Sequence, residues 1–279
     1  MTLLDGKKVA CAMREELKKK VGQAKKEGKT VRLSVVIVGK DPASEIYVRN
    51  KAKACEETGI ESDTVRLDET CTQEELETVV SRLAKDETVN GILLQLPLPA
   101  GLDEKKVLAL VPPEKDVDGF SAENVGRLFL FRRDGNEACT PSGILALLDY
   151  YGIPIAGKHA VVVGRSNIVG KPMAMLLLSR DATVTVCHSK TENLAKYTKD
   201  ADILIVAVGK AGLIREDMVK DGVVVVDAGM NRENGRLCGD VDYEGVSCKA
   251  SYITPVPGGV GPMTITMLLY NTVKAALGE

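Results

Sequence analysis

In the stretch SEIYVRNK (44–51), Tyr47 and Lys51 stand four residues apart. On a helix that spacing sets their side chains next to each other on one face. The helix has a place to start, with Asp41 as N-cap and Pro42 as its first residue, and Ser44 as the alternative cap. The apolar run LSVVIVG (33–39) ends just before it. The pair therefore stands at the carboxyl end of a strand, the edge at which parallel α/β sheets bind ligands. Two further segments bring polar groups to such an edge. NGILLQLPLP (90–99) is an apolar strand that closes on Gln95 and two prolines, and PPEKDVDGF (112–120) is an acidic loop in which Asp118 precedes a glycine. Together the four residues supply a cleft with an aromatic face, an amine, an amide and a carboxylate. One at a time they have plainer readings: a tyrosine packed on a lysine stem, a strand glutamine with its hydrogen bond, and a turn-forming aspartate.

A second constellation lies in KHAVVVGRSNIVGKPMAMLLL (158–178), a strand, a tight turn and a helix. The turn reads G-x-S-x-x-x-G, with Gly164, Arg165, Ser166 and Gly170 at its defined places. It is a relative of the dinucleotide fingerprint: a glycine lets the chain turn sharply, and a helix N-terminus offers N–H groups and a dipole to a phosphate. Alone the pattern is weak; two more strand units come after it at suitable intervals and strengthen it. The next strand, ATVTVC (182–187), runs into His188-Ser189-Lys190-Thr191, where an NAD site usually carries an acidic residue for the ribose. Hydroxyl and basic groups there, with Arg165 in the turn, suit a 2′-phosphate, so NADP is favoured and NAD is the alternative. A solvated Arg165 is the plainer reading. A nucleophile elbow around Ser166 is discarded, because it needs a glycine where Ile168 stands.

The elements that position these residues can be read from hydropathy. Continuous apolar β-branched runs at 31–39, 62–67, 90–96, 158–164, 182–187, 201–209 and 222–229 alternate with helical patterns at 5–28, 42–58, 72–86, 103–110, 142–151, 168–180, 191–199 and 261–277. Strands of this kind predict an α/β fold with parallel sheets covered on both faces. The 279 residues favour two domains, and YYGIPIAGK (150–158) reads as the boundary. The 37 basic and 39 acidic residues nearly cancel, which gives no electrostatic case for nucleic acid or an anionic membrane surface. The seven dispersed cysteines include no C-x-x-C, so reduced thiols in a cytoplasmic protein are expected. With His159 and His188 as the sole histidines, a His-rich metal site is not expected and no metal is assigned. MTLLDGKKVA carries charge where a signal peptide needs an apolar core, and no segment offers about 18 uninterrupted apolar residues, so neither export nor a membrane span is expected.

Seven motifs stand in order: S-x-x-Y-V-x-x-K, GILLQLPLP, KDVDGF, CTPSG, GRSNIVGKP, VTVCHSKT and ITPVPGGVGPMT. In this the chain resembles the bifunctional methylenetetrahydrofolate dehydrogenase/methenyltetrahydrofolate cyclohydrolases over its whole length. The resemblance implies two domains facing each other across a cleft. One is an N-terminal α/β folate-binding catalytic domain over 1–141, on which the C-terminal helix (262–279) packs back. The other is a Rossmann-type NADP-binding domain over 142–261. It implies NADP-dependent oxidation of 5,10-methylenetetrahydrofolate to the methenyl form, then hydrolysis to 10-formyltetrahydrofolate in the same cleft, as part of the one-carbon metabolism that feeds purine biosynthesis. A homodimer is implied as well.

By the same resemblance Gln95 steadies Lys51, Tyr47 stacks on the folate ring system, and Asp118 accepts hydrogen bonds from the pterin. Leu94, Leu96, Pro257, Gly258, Gly259 and Gly261 join the folate contacts, and Ser189 and Met230 join Gly164, Arg165, Ser166 and Gly170 around the cofactor. The chemistry suits these residues. Hydride loss leaves a stabilised cation and asks mainly for positioning, whereas hydrolysis asks for a group titrating near neutrality. Lys51, desolvated and close to a bound cation, is the matching residue, since burial and like charge favour its neutral amine. The glycines of PVPGGVG would let backbone approach the ligand, or serve as a helix-entry turn. DAGMN (227–231) departs from the family, in which positions 228 and 230 are commonly β-branched. The competing readings are a monofunctional NAD-dependent dehydrogenase and a non-catalytic nucleotide-binding module; the intact Tyr47, Lys51, Gln95 and Asp118 set speaks against both.

Overall fold

The computed structural model describes residues 1–132, 134–233 and 235–279. Its elements in chain order are β1 (Thr2–Leu3), α1 (Gly6–Lys26), β2 (Arg32–Val38), α2 (Pro42–Thr58), β3 (Glu61–Leu67), α3 (Gln73–Lys85), β4 (Gly91–Leu94), α4 (Glu104–Leu108), α5 (Ala122–Phe129), α6 (Cys139–Tyr150), β5 (His159–Val163), α7 (Gly170–Leu178), β6 (Thr183–Cys187), α8 (Leu194–Thr198), β7 (Ile203–Val206), β8 (Val224–Asp227), β9 (Asn231–Glu233), β10 (Arg236–Cys238), α9 (Tyr243–Ser247), β11 (Tyr252–Ile253) and α10 (Val260–Leu277). They fall into two compact units, residues 12–137 with 265–279 and residues 1–11 with 138–264.

The unit of residues 12–137 and 265–279 is built on a parallel three-stranded sheet in the order β3-β2-β4. Val36, Val38, Ile92 and Leu94 of the sheet meet Leu76, Val80 and Leu83 of α3 in a buried cluster, as the apolar runs and the amphipathic pattern of 72–86 predict. Local chemistry sets both ends of α2. Asp41 Oδ2 accepts the Ser44 N–H at 2.8 Å, so Asp41 is the cap, and Gly59 closes the helix in the left-handed conformation at φ 79°. Residues 115–117 run beside β4, with the Ile92 N–H on the Lys115 carbonyl at 2.8 Å and Asp116 paired with Ile92. The C-terminal part of α10 packs close by. A Cβ on Gly91 would stand 2.7 Å from Val117 Cγ1 and 3.2 Å from Thr272 Oγ1, so this approach requires glycine.

The other unit carries a parallel six-stranded sheet in the order β1-β11-β8-β7-β5-β6. Strands β7 and β8 are buried along their length, as their unbroken apolar strings require. One face packs Leu204, Val225 and Ile253 against Met218, Val219 and Val246. Strand β5 lies between β6 and β7, so the direction of winding reverses at β5. The crevice at the carboxyl ends of strands beside such a reversal is where open α/β sheets take nucleotides.

The units are cut differently from the divisions read in the sequence. Residues 1–11 join the six-stranded unit because β1 pairs with β11, Thr2 opposite Tyr252 and Leu3 opposite Ile253. The boundary falls at 137/138, ahead of both 141/142 and the YYGIPIAGK turn. Helix α6 belongs to the six-stranded unit, since a Cβ on Gly143 would stand 2.9 Å from Met263 Cβ. The last crossing lies inside α10, at 264/265 instead of 261/262. Helices α5 and α9, the β9–β10 pair and the two-residue strands β1 and β11 add to the predicted elements.

Candidate active site

In the three-stranded unit Tyr47 and Lys51 lie one turn apart on α2, both half-buried. Lys51 Nζ donates to Gln95 Oε1 at 3.0 Å. Gln95 comes directly after β4; its backbone N–H meets the Val36 carbonyl at 2.8 Å, and its own amide Nε2 donates to the Leu96 carbonyl at 2.7 Å. With the amide nitrogen so engaged, the oxygen is the end presented to the lysine. Burial raises the Tyr47 phenol above its ordinary range, so the ring is neutral at physiological pH. Leu94 is 4% exposed and belongs to the core, which leaves its backbone as the part a ligand can reach, whereas Leu96 is half-buried at the cluster's edge. Asp118 is two residues past the Ile92–Asp116 bridge, in the turn that follows it, and half-buried. The structure thus brings Lys51 and Gln95 into contact, with Tyr47 on the same helix and Asp118 in the turn that leaves the segment paired with β4.

The six-stranded unit holds the nucleotide constellation. Gly164 comes directly after β5 at φ 134°, and a Cβ there would strike the Ala207 carbonyl oxygen after β7. A Cβ on Gly170 would strike the Gly164 carbonyl oxygen, so the turn closes only with glycine at both ends. Ser166 has a structural task that the sequence did not reveal: its Oγ accepts the N–H of Val169 at 3.1 Å and of Gly170 at 3.3 Å. Residues 165–168 are exposed. Val163 pairs with Cys187 in parallel register at the ends of β5 and β6, and Arg165 and Ser189, each two residues past its strand end and each exposed, lie in the neighbouring turns that follow. Residues 188–191 hold no carboxylate. An exposed guanidinium, a hydroxyl and a glycine turn at the winding reversal fit a phosphorylated dinucleotide. Met230, 47% exposed, lies beyond the end of β8.

The PVPGG turn owes its glycines chiefly to its own unit. A Cβ on Gly259 would come within 2.7 Å of the Pro255 carbonyl oxygen, and one on Gly6 would collide with the Gly259 carbonyl oxygen. Gly258, at φ 113°, accepts the Lys7 N–H at 3.2 Å. Pro257 is exposed, and at Gly261 no atom lies within 4 Å of where a Cβ would stand, so 261 is the glycine of the turn with open space around it.

Sequence reasoning missed the aspartates that hold the loops. Asp116, 6% exposed, accepts the N–H of Gly119, Phe120 and Ser121 and the Asn124 amide. Buried Asp240 accepts the N–H of Val208 at 2.6 Å, Gly209 at 3.0 Å and Lys210 at 2.7 Å, with the Asn231 amide at 2.9 Å. Asp227 accepts the N–H of Gly229, Asp240 and Val241; burial nevertheless pushes its carboxyl up to about 6, with Asp240 adding to the rise. The signal was the neighbouring glycine: a Cβ on Gly229 would strike the Asp240 carboxylate, and one on Gly239 the Asp227 carboxylate. Among the described residues no three His, Cys, Asp or Glu side chains are placed to hold a metal ion, and no helix is long and apolar enough to cross a membrane.

Comparison with known proteins agrees with this geometry. The catalytic-domain model of tetrahydrofolate dehydrogenase/cyclohydrolase matches residues 4–118, and the NAD(P)-binding-domain model of the same family matches residues 138–279. The chain belongs to the tetrahydrofolate dehydrogenase/cyclohydrolase family. It is 57% identical over 274 residues to the bifunctional protein FolD of an Exiguobacterium species, covering 98% of each chain. The crystal structure of the bifunctional FolD methylenetetrahydrofolate dehydrogenase/cyclohydrolase of Campylobacter jejuni superposes with a TM-score of 0.98 at 54% identity over 99% of each chain. The Trypanosoma brucei FolD, crystallised with NADP cofactor and an inhibitor, superposes at 0.95 with 40% identity, over 99% of this chain and 97% of that one. In this tetrahydrofolate dehydrogenase/cyclohydrolase, as in the motif reading, the first match holds Tyr47, Lys51, Gln95 and Asp118, and the second holds the glycine turn.

Proposed function

We infer that this chain oxidises 5,10-methylenetetrahydrofolate to 5,10-methenyltetrahydrofolate with NADP+ and hydrolyses the product to 10-formyltetrahydrofolate, with Lys51 as the proton-transfer group of the second step. The observation that carries this assignment is the 3.0 Å hydrogen bond from Lys51 Nζ to Gln95 Oε1.

The nicotinamide of bound NADP+ supplies the hydride acceptor. Gly164, Ser166 and Gly170 would shape the turn that takes its phosphates, Arg165 and Ser189 would hold the 2′-phosphate, and Met230 would line the cofactor through its backbone. Oxidation leaves a cation delocalised over N5, the bridging carbon and N10. It needs little acid–base help, and the protein's task is to hold the folate, with Tyr47 on its ring system and Asp118 accepting from the pterin. The backbone of Leu94, with Leu96, Pro257 and Gly261, completes the folate contacts.

Hydrolysis then requires a base. Water adds its oxygen to the bridging carbon while one of its protons passes to the neutral Lys51 amine; the lysine ammonium then returns that proton to N5 as the carbon–N5 bond breaks, and the remaining hydroxyl proton leaves to solvent as the formyl C=O forms on N10. A neutral amine has one lone pair and two N–H bonds. By accepting one N–H, Gln95 fixes where the lone pair points. The substrate's own positive charge favours the neutral form of the lysine beside it. The same reading places the enzyme in the cytoplasm as a homodimer.

The test is an assay with 5,10-methylenetetrahydrofolate and either NADP+ or NAD+, following reduced cofactor and methenyl product together. NADPH should form while methenyl product is consumed. Methenyl product accumulating one-for-one with reduced cofactor would refute the second activity.

A further inference from the structure

Within residues 116–119 Asp118 is the one side chain that is not buried, and three successive peptide groups around it are each held by a buried side chain. The carbonyl of Asp116, in the peptide joining 116 to 117, accepts the Asn136 amide at 3.0 Å. The carbonyl of Val117, in the peptide joining 117 to 118, accepts the Asn271 amide of α10 at 2.9 Å. The N–H of Gly119, in the peptide joining 118 to 119, donates to Asp116 Oδ1 at 3.0 Å. Val117 itself is fully buried, and Gly119 takes the left-handed conformation at φ 74°.

Fixing the peptide planes on both sides of a residue fixes the direction of its Cα–Cβ bond. Asp116, Asn136 and Asn271 are 3 to 7% exposed, and their hydrogen bonds are interlinked. Asn271 also donates to the Glu137 carbonyl at 3.0 Å, Asn124 joins Asp116 to the Pro113 carbonyl at 2.9 Å each, and the Asn136 N–H meets Asn124 Oδ1 at 3.3 Å. Among the described residues no buried side-chain nitrogen or oxygen lacks a partner. Buried polar networks of this completeness are rigid.

We propose that Asn271 and Asp116 are positioning residues for folate binding: they clamp the two peptide groups that flank Asp118 and so hold its carboxylate in the direction the pterin requires. This rests on the assignment of Asp118 as the pterin acceptor. It adds to the family reading a residue from α10, more than 150 positions away in sequence, and an aspartate that touches no ligand. Binding of a directional hydrogen-bond acceptor is lost when its support loosens, even when every contacting side chain is intact.

The experiment is a double-mutant cycle read by calorimetric binding of 5-formyltetrahydrofolate and, separately, of NADP+. Asn271→Leu should weaken folate binding about tenfold in the parent chain but less than about twofold in the Asp118→Ala background, because coupled residues are not additive. NADP+ affinity should be unchanged in all four proteins, which also reports that they are folded. Equal losses in both backgrounds would mean general destabilisation and would overturn the positioning role. An Asp118→Ala chain that binds folate as tightly as the parent would instead overturn the assignment of Asp118 itself, and the proposal with it. Should Asn271→Leu fail to fold, Asp116→Asn runs the same cycle: the amide keeps the shape but loses acceptor capacity for the loop N–H groups.

Discussion

Lys51 and Gln95, 44 residues apart, meet in a 3.0 Å hydrogen bond because the third turn of α2 and the end of β4 reach the same edge of one sheet. With Lys51 proposed as the base of the second step alone, changing it should separate the two activities. Lys51→Met keeps the length of the stem and removes the base, so it should lower methenyltetrahydrofolate hydrolysis by about 10²–10⁴-fold. Dehydrogenase turnover should remain measurable. Stopped-flow decay of methenyl absorbance checks the first, and NADPH formation the second; hydrolysis near the parent rate would remove Lys51 from its role.

Arg165 is exposed, in the turn after β5, as Ser189 is in the turn after β6. An arginine–phosphate contact at a solvent-facing site is worth about 1–2 kcal/mol, so Arg165→Ala should weaken NADP+ roughly tenfold and leave NAD+ within about twofold. Titration with each cofactor decides the matter, and parallel losses for both would show that the guanidinium does not read the 2′-phosphate.

Asp227 gives stability a pH dependence of known sign. Its folded carboxyl lies at about 6, above the ordinary 3.8, so the folded chain holds this proton more tightly than the unfolded one. Stability from this group is therefore fully present below the unfolded value and is lost as pH rises from about 4 through about 6. The loss is on the order of 3 kcal/mol. Asp227→Asn cannot titrate. Urea unfolding of parent and variant between pH 4 and 7 should show the parent's advantage shrinking as pH rises, and a constant or growing difference would contradict the raised carboxyl.

The two glycines of the PVPGGVG turn should answer differently to alanine. At Gly259 the added methyl meets the Pro255 carbonyl at 2.7 Å, so Gly259→Ala should destabilise by about 1–3 kcal/mol. At Gly261, in the first turn of α10, the methyl meets nothing. Gly261→Ala should match or slightly exceed the parent in thermal unfolding, gaining up to about 1 kcal/mol of helix propensity. With Gly261 proposed as a folate contact, its folate KM should nonetheless rise, because the methyl would occupy that open space. An unchanged KM would mean that this space is not used.

Signals confined to a few neighbouring residues were legible in the sequence. Helix 42–58 came out at Pro42–Thr58 because Asp41, Pro42 and Gly59 each act on the backbone next to them. The continuous strands and the glycine turn were legible for the same reason. Pairing at a distance escaped. Two-residue strands such as β1 and β11 have no periodicity to detect, and their hydrogen bonds join residues about 250 positions apart. In KDVDGF the two aspartates look alike; burial alone makes Asp116 the anchor of the loop and leaves Asp118 half-exposed. Ser166 read as part of a phosphate turn, and its service to the Val169 and Gly170 N–H groups depends on a backbone geometry that spacing does not encode.

Helices α1 and α10 each belong to both compact units, with the divisions falling at 11/12 and 264/265 inside them. No single cut of the chain can therefore release either unit intact. On the ribosome, the sheet of residues 32–94 is synthesised early but lacks Asn271 and Thr272 until residues 265–277 have emerged. The three-stranded unit therefore waits for residues 265–279 to be complete, and Asp118 acquires its full support only as synthesis reaches α10.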